Sequence, residues 1–108
     1  MDIKKLHNKK INIFNTYYTI KVVDNVISED KEVYGQTDYV NKTILIAKTL
    51  NGNTLKEADL LLTLLHEITH SIFGEGQYLQ ASSDEPLVEW TAKCFYQILF
   101  KQNLFKGC

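Results

Sequence analysis

Two of the chain's three histidines stand in one short run, His66-Glu67-Ile68-Thr69-His70. On a helix, residues i and i+4 share a face, so both imidazoles can reach one ion at about 2.0–2.1 Å, the ordinary zinc–nitrogen distance. Glu67 follows His66 by one residue and points about 100° further round the helix. From there it flanks such an ion without ligating it and can take a proton from a zinc-bound water. Two histidines and a glutamate can also share an exposed helical face without any chemistry. A third ligand decides between these readings, because a catalytic zinc site takes three protein ligands and keeps one position open.

Glu85 and Glu89 lie 15 and 19 residues after His70, one helical turn apart. Glu89 borders the apolar face set by Val88, Ala92 and Phe95, where an unpaired carboxylate is costly, and is the preferred third ligand. Glu85 falls in a first helical turn, where acidic groups complement the helix dipole. It also suits the role of outer partner to a ligand histidine. Glu75 is a further, weaker choice. His7 is remote in sequence and expected at the surface, and Cys94 is expected on the core side of the second helix. Tyr39 and Tyr78 are the tyrosines near the motif that could face a developing oxyanion.

The elements that must position these groups follow from the apolar pattern. Ile11-Asn12-Ile13-Phe14 and Tyr18 to Val23 read as strands, with a hairpin turn at Asn15-Thr16. Asp24 to Lys31 is polar and loop-like. Glu32 to Thr37 reads as a third strand and Thr43 to Ala47 as a fourth, reached through a turn at Asn41-Lys42. Thr54-Leu55-Lys56-Glu57 matches a capping box that starts a helix running to about Phe73, with Gly74 as its C-cap. Leu61, Leu65, Ile68 and Ile72 are its expected core stripe. After a loop from Gly74 to Ser83, a second helix begins near Asp84-Glu85-Pro86 and runs to about Gln102, burying Val88, Ala92, Phe95 and Leu99, flanked by Leu87, Cys94 and Ile98. Strands first and helices afterwards predict an α+β domain, a small, mostly N-terminal sheet packed on the histidine-bearing helix and a C-terminal helix. With 108 residues and no linker or repeat, residues 1–108 read as a single domain.

His66-Glu67-Ile68-Thr69-His70, followed by Glu85-Pro86-Leu87-Val88-Glu89 on a second helix, resembles a compact gluzincin. The combination is most similar to the small phage and bacterial metallopeptidase-like proteins of the ImmA/IrrE type. Tyr34 to Tyr39, then Thr43 to Ile46, then Thr63 to Glu67 match the strand–helix order of that group, and the likeness spans roughly Tyr34 to Gln102. It implies a minimal zincin-like fold, Zn2+ held by His66, His70 and a glutamate of the second helix, and Glu67 as general base. Larger relatives place the ligand glutamate further along, in an acidic-Ala-Asn context this chain lacks, so Glu85 and Glu89 both stay in view.

Composition narrows the partners. Twelve basic and 13 acidic residues give a net charge of −1, and all twelve basic residues are lysine. Without a basic footprint or an arginine for bidentate phosphate contacts, nucleic acid is not the expected partner. A peptide or protein substrate is. No run is apolar enough for a membrane span, no signal peptide is evident, and two cysteines, Cys94 and Cys108, make no disulfide framework. A cytoplasmic setting follows, and the lysine, asparagine and isoleucine bias points to an AT-rich bacterial or phage genome. Leu104 and Phe105 are expected to cover the core or mediate self-association. The peptide would lie along Thr43 to Ala47 by strand addition. The competing function is a zinc-holding module that docks a partner protein without cleaving it.

Overall fold

A computed structural model describes residues 2–102. Burial alternates along Thr16–Val23, with Tyr18, Ile20 and Val22 inside, and this run forms the longest strand, β2. It is preceded by a 3-10 turn (Ile3–Leu6) and by β1 (Lys10–Ile13), which pairs with it antiparallel. The turn between them falls on Phe14 and Asn15, with φ of 51° and 67°, one residue earlier than Asn15-Thr16. Two consecutive positive φ values are what a tight right-twisting hairpin requires.

β3 (Val26–Ser28) and β4 (Lys31–Val33) form a separate small hairpin, so part of the expected Asp24–Lys31 loop is a strand. β5 (Gly35–Asp38) and β6 (Thr43–Ala47) return to the main sheet. The predicted third strand is therefore broken at Tyr34, because its two halves serve different sheets. β6 pairs parallel with β2 and antiparallel with β5, giving the order β1-β2-β6-β5. This corrects the expectation that Thr43–Ala47 is an open edge: it is an interior strand, with Ile44, Ile46 and Ala47 fully buried. The open edge beside the helices is β5. A last two-residue pair, β7 (Thr49–Leu50) and β8 (Asn53–Thr54), takes up Thr54.

With Thr54 in β8, the predicted capping box does not form. α1 (Glu57–Glu75) begins after Lys56, whose amide donates to Asp59 Oδ2 at 3.3 Å, while Glu57 Oε1 accepts from the backbone amide of Ile3. Leu60, Leu61 and Leu64 are buried against the sheet, and Leu65 and Ile68 pack beside them. Ile72 is 36% exposed; the buried line turns instead through Glu67 and Ser71. Each fully buried leucine or isoleucine contributes about 1.5–3 kcal/mol. Gly74 is not the C-cap. It lies inside α1, where a Cβ would come within 2.6 Å of the Tyr39 ring, and the chain leaves the helix at Gly76 before reversing at Gln77, whose φ is +65°.

The expected Gly74–Ser83 loop contains α2 (Leu79–Ser83). α3 (Glu85–Phe95) starts as the sequence predicts, with Asp84 Oδ1 accepting the Leu87 amide at 3.1 Å and Pro86 in the first turn. Val88 and Ala92 are fully buried, but Phe95 is 42% exposed. At Tyr96–Lys101 the helix widens to π winding, and Tyr96 and Phe100 take over the contact with the core. Leu87, Ile98 and Trp90 face outward, and Cys94 is a half-buried free thiol. Cys108, Leu104 and Phe105 lie outside the described residues. Among the described residues no helix is long and apolar enough to cross a membrane.

A polar contact ties the sheet to the end of α1. The buried Tyr18 hydroxyl donates to Glu75 Oε2 at 2.5 Å, and Lys42 Nζ donates to the same oxygen at 2.8 Å. Lys42 and Tyr18 together hold the Glu75 carboxyl below its usual range. A carboxylate depressed in the folded state stabilises above its unfolded pKa, and that contribution is lost as pH falls through the folded value. Wild-type protein should therefore lose more urea resistance than Glu75→Gln as pH drops below the ordinary glutamate value of 4.5. Parallel pH curves for the two proteins would contradict this.

Candidate metal centre

α1 carries two faces with different duties. Its core line brings Glu67 under β5, and the adjacent face presents His66 and His70 to a cleft of about 710 Å3. β5 can cross α1 this closely only because residue 35 is glycine. A Cβ there would lie 2.6 Å from Thr63 Cγ2, 2.7 Å from the Leu45 carbonyl oxygen and 3.3 Å from Glu67 Cγ. Two residues on, and so on the same face of the strand, Thr37 Oγ1 donates to Glu67 Oε1 at 2.7 Å.

Glu67 is 6% exposed. Burial pushes its carboxyl above the usual range, opposed by the Thr37 hydroxyl and by the neighbouring His66 and His70. Ser71 and Thr69 lie on the same helix, but their hydroxyls are taken up by the helix's own carbonyls, those of Glu67 and Leu65. Thr37 is thus the side chain that orients the Glu67 carboxylate.

The two imidazoles pack edge to face, with ring centroids 5.0 Å apart. Both Nε2 atoms face the Glu85 carboxylate, His66 at 3.2 Å from Oε2 and His70 at 2.8 Å from Oε1. Both Nδ1 atoms face outer partners: His66 Nδ1 is 2.7 Å from Glu89 Oε2, and His70 Nδ1 is 3.2 Å from Ser82 Oγ. Glu85 opens α3, so it reaches back across both rings; Glu89 stands one turn deeper and meets only the near ring. Glu89, preferred from sequence as the ligand, therefore sits against the second nitrogen of His66. Glu85 is the carboxylate that groups with the two histidines, their ligand atoms all within 4.8 Å of one another.

This donor set fits a divalent cation. It offers two imidazole nitrogens and a carboxylate, and each ring is oriented through its other nitrogen, as metal-ligating histidines ordinarily are. Glu85 is 64% exposed, leaving an approach from solvent, while the histidine side chains are 17% and 13% exposed.

The remaining candidates fall elsewhere. Glu75 is engaged with Tyr18 and Lys42. Tyr78 is 71% exposed, at the Gly76 corner near Phe14. Tyr39 does line the cleft, but its hydroxyl is committed to the His70 carbonyl at 3.0 Å and to Ser82 Oγ at 2.7 Å. His7 is exposed, and its Nδ1 accepts the Val22 amide. Thr37, Ser82 and Gly35 have no motif that marks them; only their contacts do. Comparison of the chain with family models, curated proteins and solved structures returns no match.

A buried carboxylate that loses its donor costs about 1–3 kcal/mol. Thr37→Val should lower unfolding free energy by about that much in urea titration, while Thr37→Ser should stay near wild type. Equal stabilities for wild type and Thr37→Val would show that Glu67 does not depend on this hydroxyl.

Proposed function

We propose that the protein is a zinc-dependent peptidase with a minimal gluzincin-like domain, similar in plan to the ImmA/IrrE type. His66, His70 and Glu85 hold the ion, Glu89 and Ser82 orient the two rings, and Glu67 is the general base. The observation that carries this reading is the shared orientation of the two imidazoles: both Nε2 atoms meet one carboxylate, and both Nδ1 atoms meet an outer polar partner. A zinc ion bound there supplies Lewis acidity, lowering the pKa of water and polarising a carbonyl.

Glu67 is suited to move the proton. Thr37 occupies one of its oxygens, which fixes the carboxylate's rotamer and leaves the other oxygen to accept from water at the cleft. Burial raises its basicity relative to an exposed glutamate, which favours taking a proton and passing it to the departing amine. A general base of this kind contributes about 10²–10⁴-fold to a rate.

The substrate is an extended peptide. β5 is the sheet edge that lines the cleft, and its free side offers backbone hydrogen bonds to an added strand. Unlike Thr43–Ala47, which is enclosed between two neighbours, Gly35–Asp38 pairs on one side only among the described residues. A cytoplasmic setting belongs to the same reading, and the free thiol of Cys94 is compatible with it.

The test uses purified zinc-loaded protein and a pool of unstructured peptides, with cleavage read by mass spectrometry. Wild type should cleave, and a chelator should stop it. Glu67→Gln should keep its zinc and lose at least about a hundredfold in rate. Zinc retained by both proteins with cleavage by neither would refute the peptidase reading and favour a metal-holding docking module.

A further inference from the structure

The side chain and main chain of His70 are joined by a closed ring of hydrogen bonds. His70 Nδ1 lies 3.2 Å from Ser82 Oγ, Ser82 Oγ lies 2.7 Å from the Tyr39 hydroxyl, and that hydroxyl lies 3.0 Å from the His70 carbonyl oxygen. Three separate elements meet there. Tyr39 follows β5, Ser82 belongs to α2 and is 8% exposed, and His70 stands on α1. The Tyr39 ring is seated against Gly74, one turn further along α1, where any Cβ would displace it.

Proton counting gives the ring a direction. Three short polar contacts need three protons, one in each. The two hydroxyls supply one apiece, and a carbonyl supplies none. The third must come from His70 Nδ1. Tyr39 then donates to the His70 carbonyl, Ser82 donates to Tyr39, and Nδ1–H donates to Ser82. Were Ser82 to donate to Nδ1 instead, one oxygen–oxygen contact of 2.7 or 3.0 Å would hold no proton and be repulsive. The alternative contact from Ser82 to the His70 carbonyl is longer, at 3.3 Å, and leaves the demand on Nδ1 unchanged.

We infer that Tyr39 and Ser82 are positioning residues that keep a proton on His70 Nδ1, so that when zinc takes the place of the proton Nε2 shares with Glu85, Nε2 is the nitrogen that coordinates. His66 reaches the same state by a simpler route, since its Nδ1 faces the Glu89 carboxylate, which accepts only. The ring also couples cleft to ligand: Tyr39 lines the cleft wall, and its hydroxyl acts on the histidine through Ser82. The inference rests on the metal-site reading above, but not on peptide cleavage.

The test measures zinc affinity by chelator competition and the ring N–H protons of the zinc-loaded protein by NMR. Ser82→Ala should weaken zinc binding about tenfold, as loss of an outer histidine partner does. It should also remove the slowly exchanging Nδ1–H signal of His70 while leaving that of His66. Tyr39→Phe keeps the aromatic ring against Gly74 and removes only the hydroxyl. It should weaken binding severalfold and speed exchange of the His70 signal alone. Unchanged affinity together with an unchanged His70 signal in both variants would overturn the inference. A wild-type chain that binds no zinc would overturn it along with the proposed function. Zinc binding with these ring effects but without peptide cleavage would sustain this inference and refute only the catalytic reading.

Discussion

The Glu85 carboxylate spans the Nε2 atoms of His66 and His70, and the helical half of the molecule is arranged to bring that contact about. Two imidazoles on one helical face converge by geometry alone, but a carboxylate must be delivered to them from another element. Asp84 does this by capping α3, so that the helix opens at Glu85. Val88 and Ala92, fully buried, then press the same helix against its neighbours. Because Glu85 and Glu89 are one turn apart, seating the first at the Nε2 atoms brings the second to Nδ1 of His66. One helix thus supplies both the proposed ligand and its proposed orienting partner.

The sheet makes a different contribution. β5 crosses α1 at Gly35, and this close crossing does three things at once. It buries Glu67, sets Thr37 against its carboxylate, and leaves a strand edge along the cleft that is unpaired among the described residues. Immediately after β5, Tyr39 reaches the end of the same helix and closes the ring through Ser82 to His70. A short strand and the turn after it therefore touch both Glu67, the proposed base, and His70, a proposed ligand. Among the described residues the cleft is walled by β5, α1 and α3.

The placement of the candidate site residues was easier to read from the sequence than the framework around them. The paired histidines, the flanking glutamate and the start of α3 at Asp84-Glu85-Pro86 are local signals, and each is where its spacing predicts. The α+β order of strands then helices is equally visible. What sequence missed depends on long-range pairing. β6 looks like any short apolar strand, and only its parallel partner β2 makes it interior rather than an edge. The α1 core line turns through Glu67 because β5 lies over it, which no hydrophobic count reveals. Gly74 carries a plausible capping signal, yet it is glycine to admit the Tyr39 ring. Burial logic rightly drew Glu89 toward the site, but it could not tell which imidazole nitrogen a carboxylate one turn deeper would meet.

Elemental analysis of purified protein tests most directly whether His66, His70 and Glu85 form one metal centre. Wild type should carry one zinc per chain. Glu85→Ala should carry none, whereas Glu89→Ala should retain zinc with affinity weakened about 10–100-fold. A wild-type chain without stoichiometric metal would contradict the account, as would Glu85→Ala retaining zinc that Glu89→Ala loses.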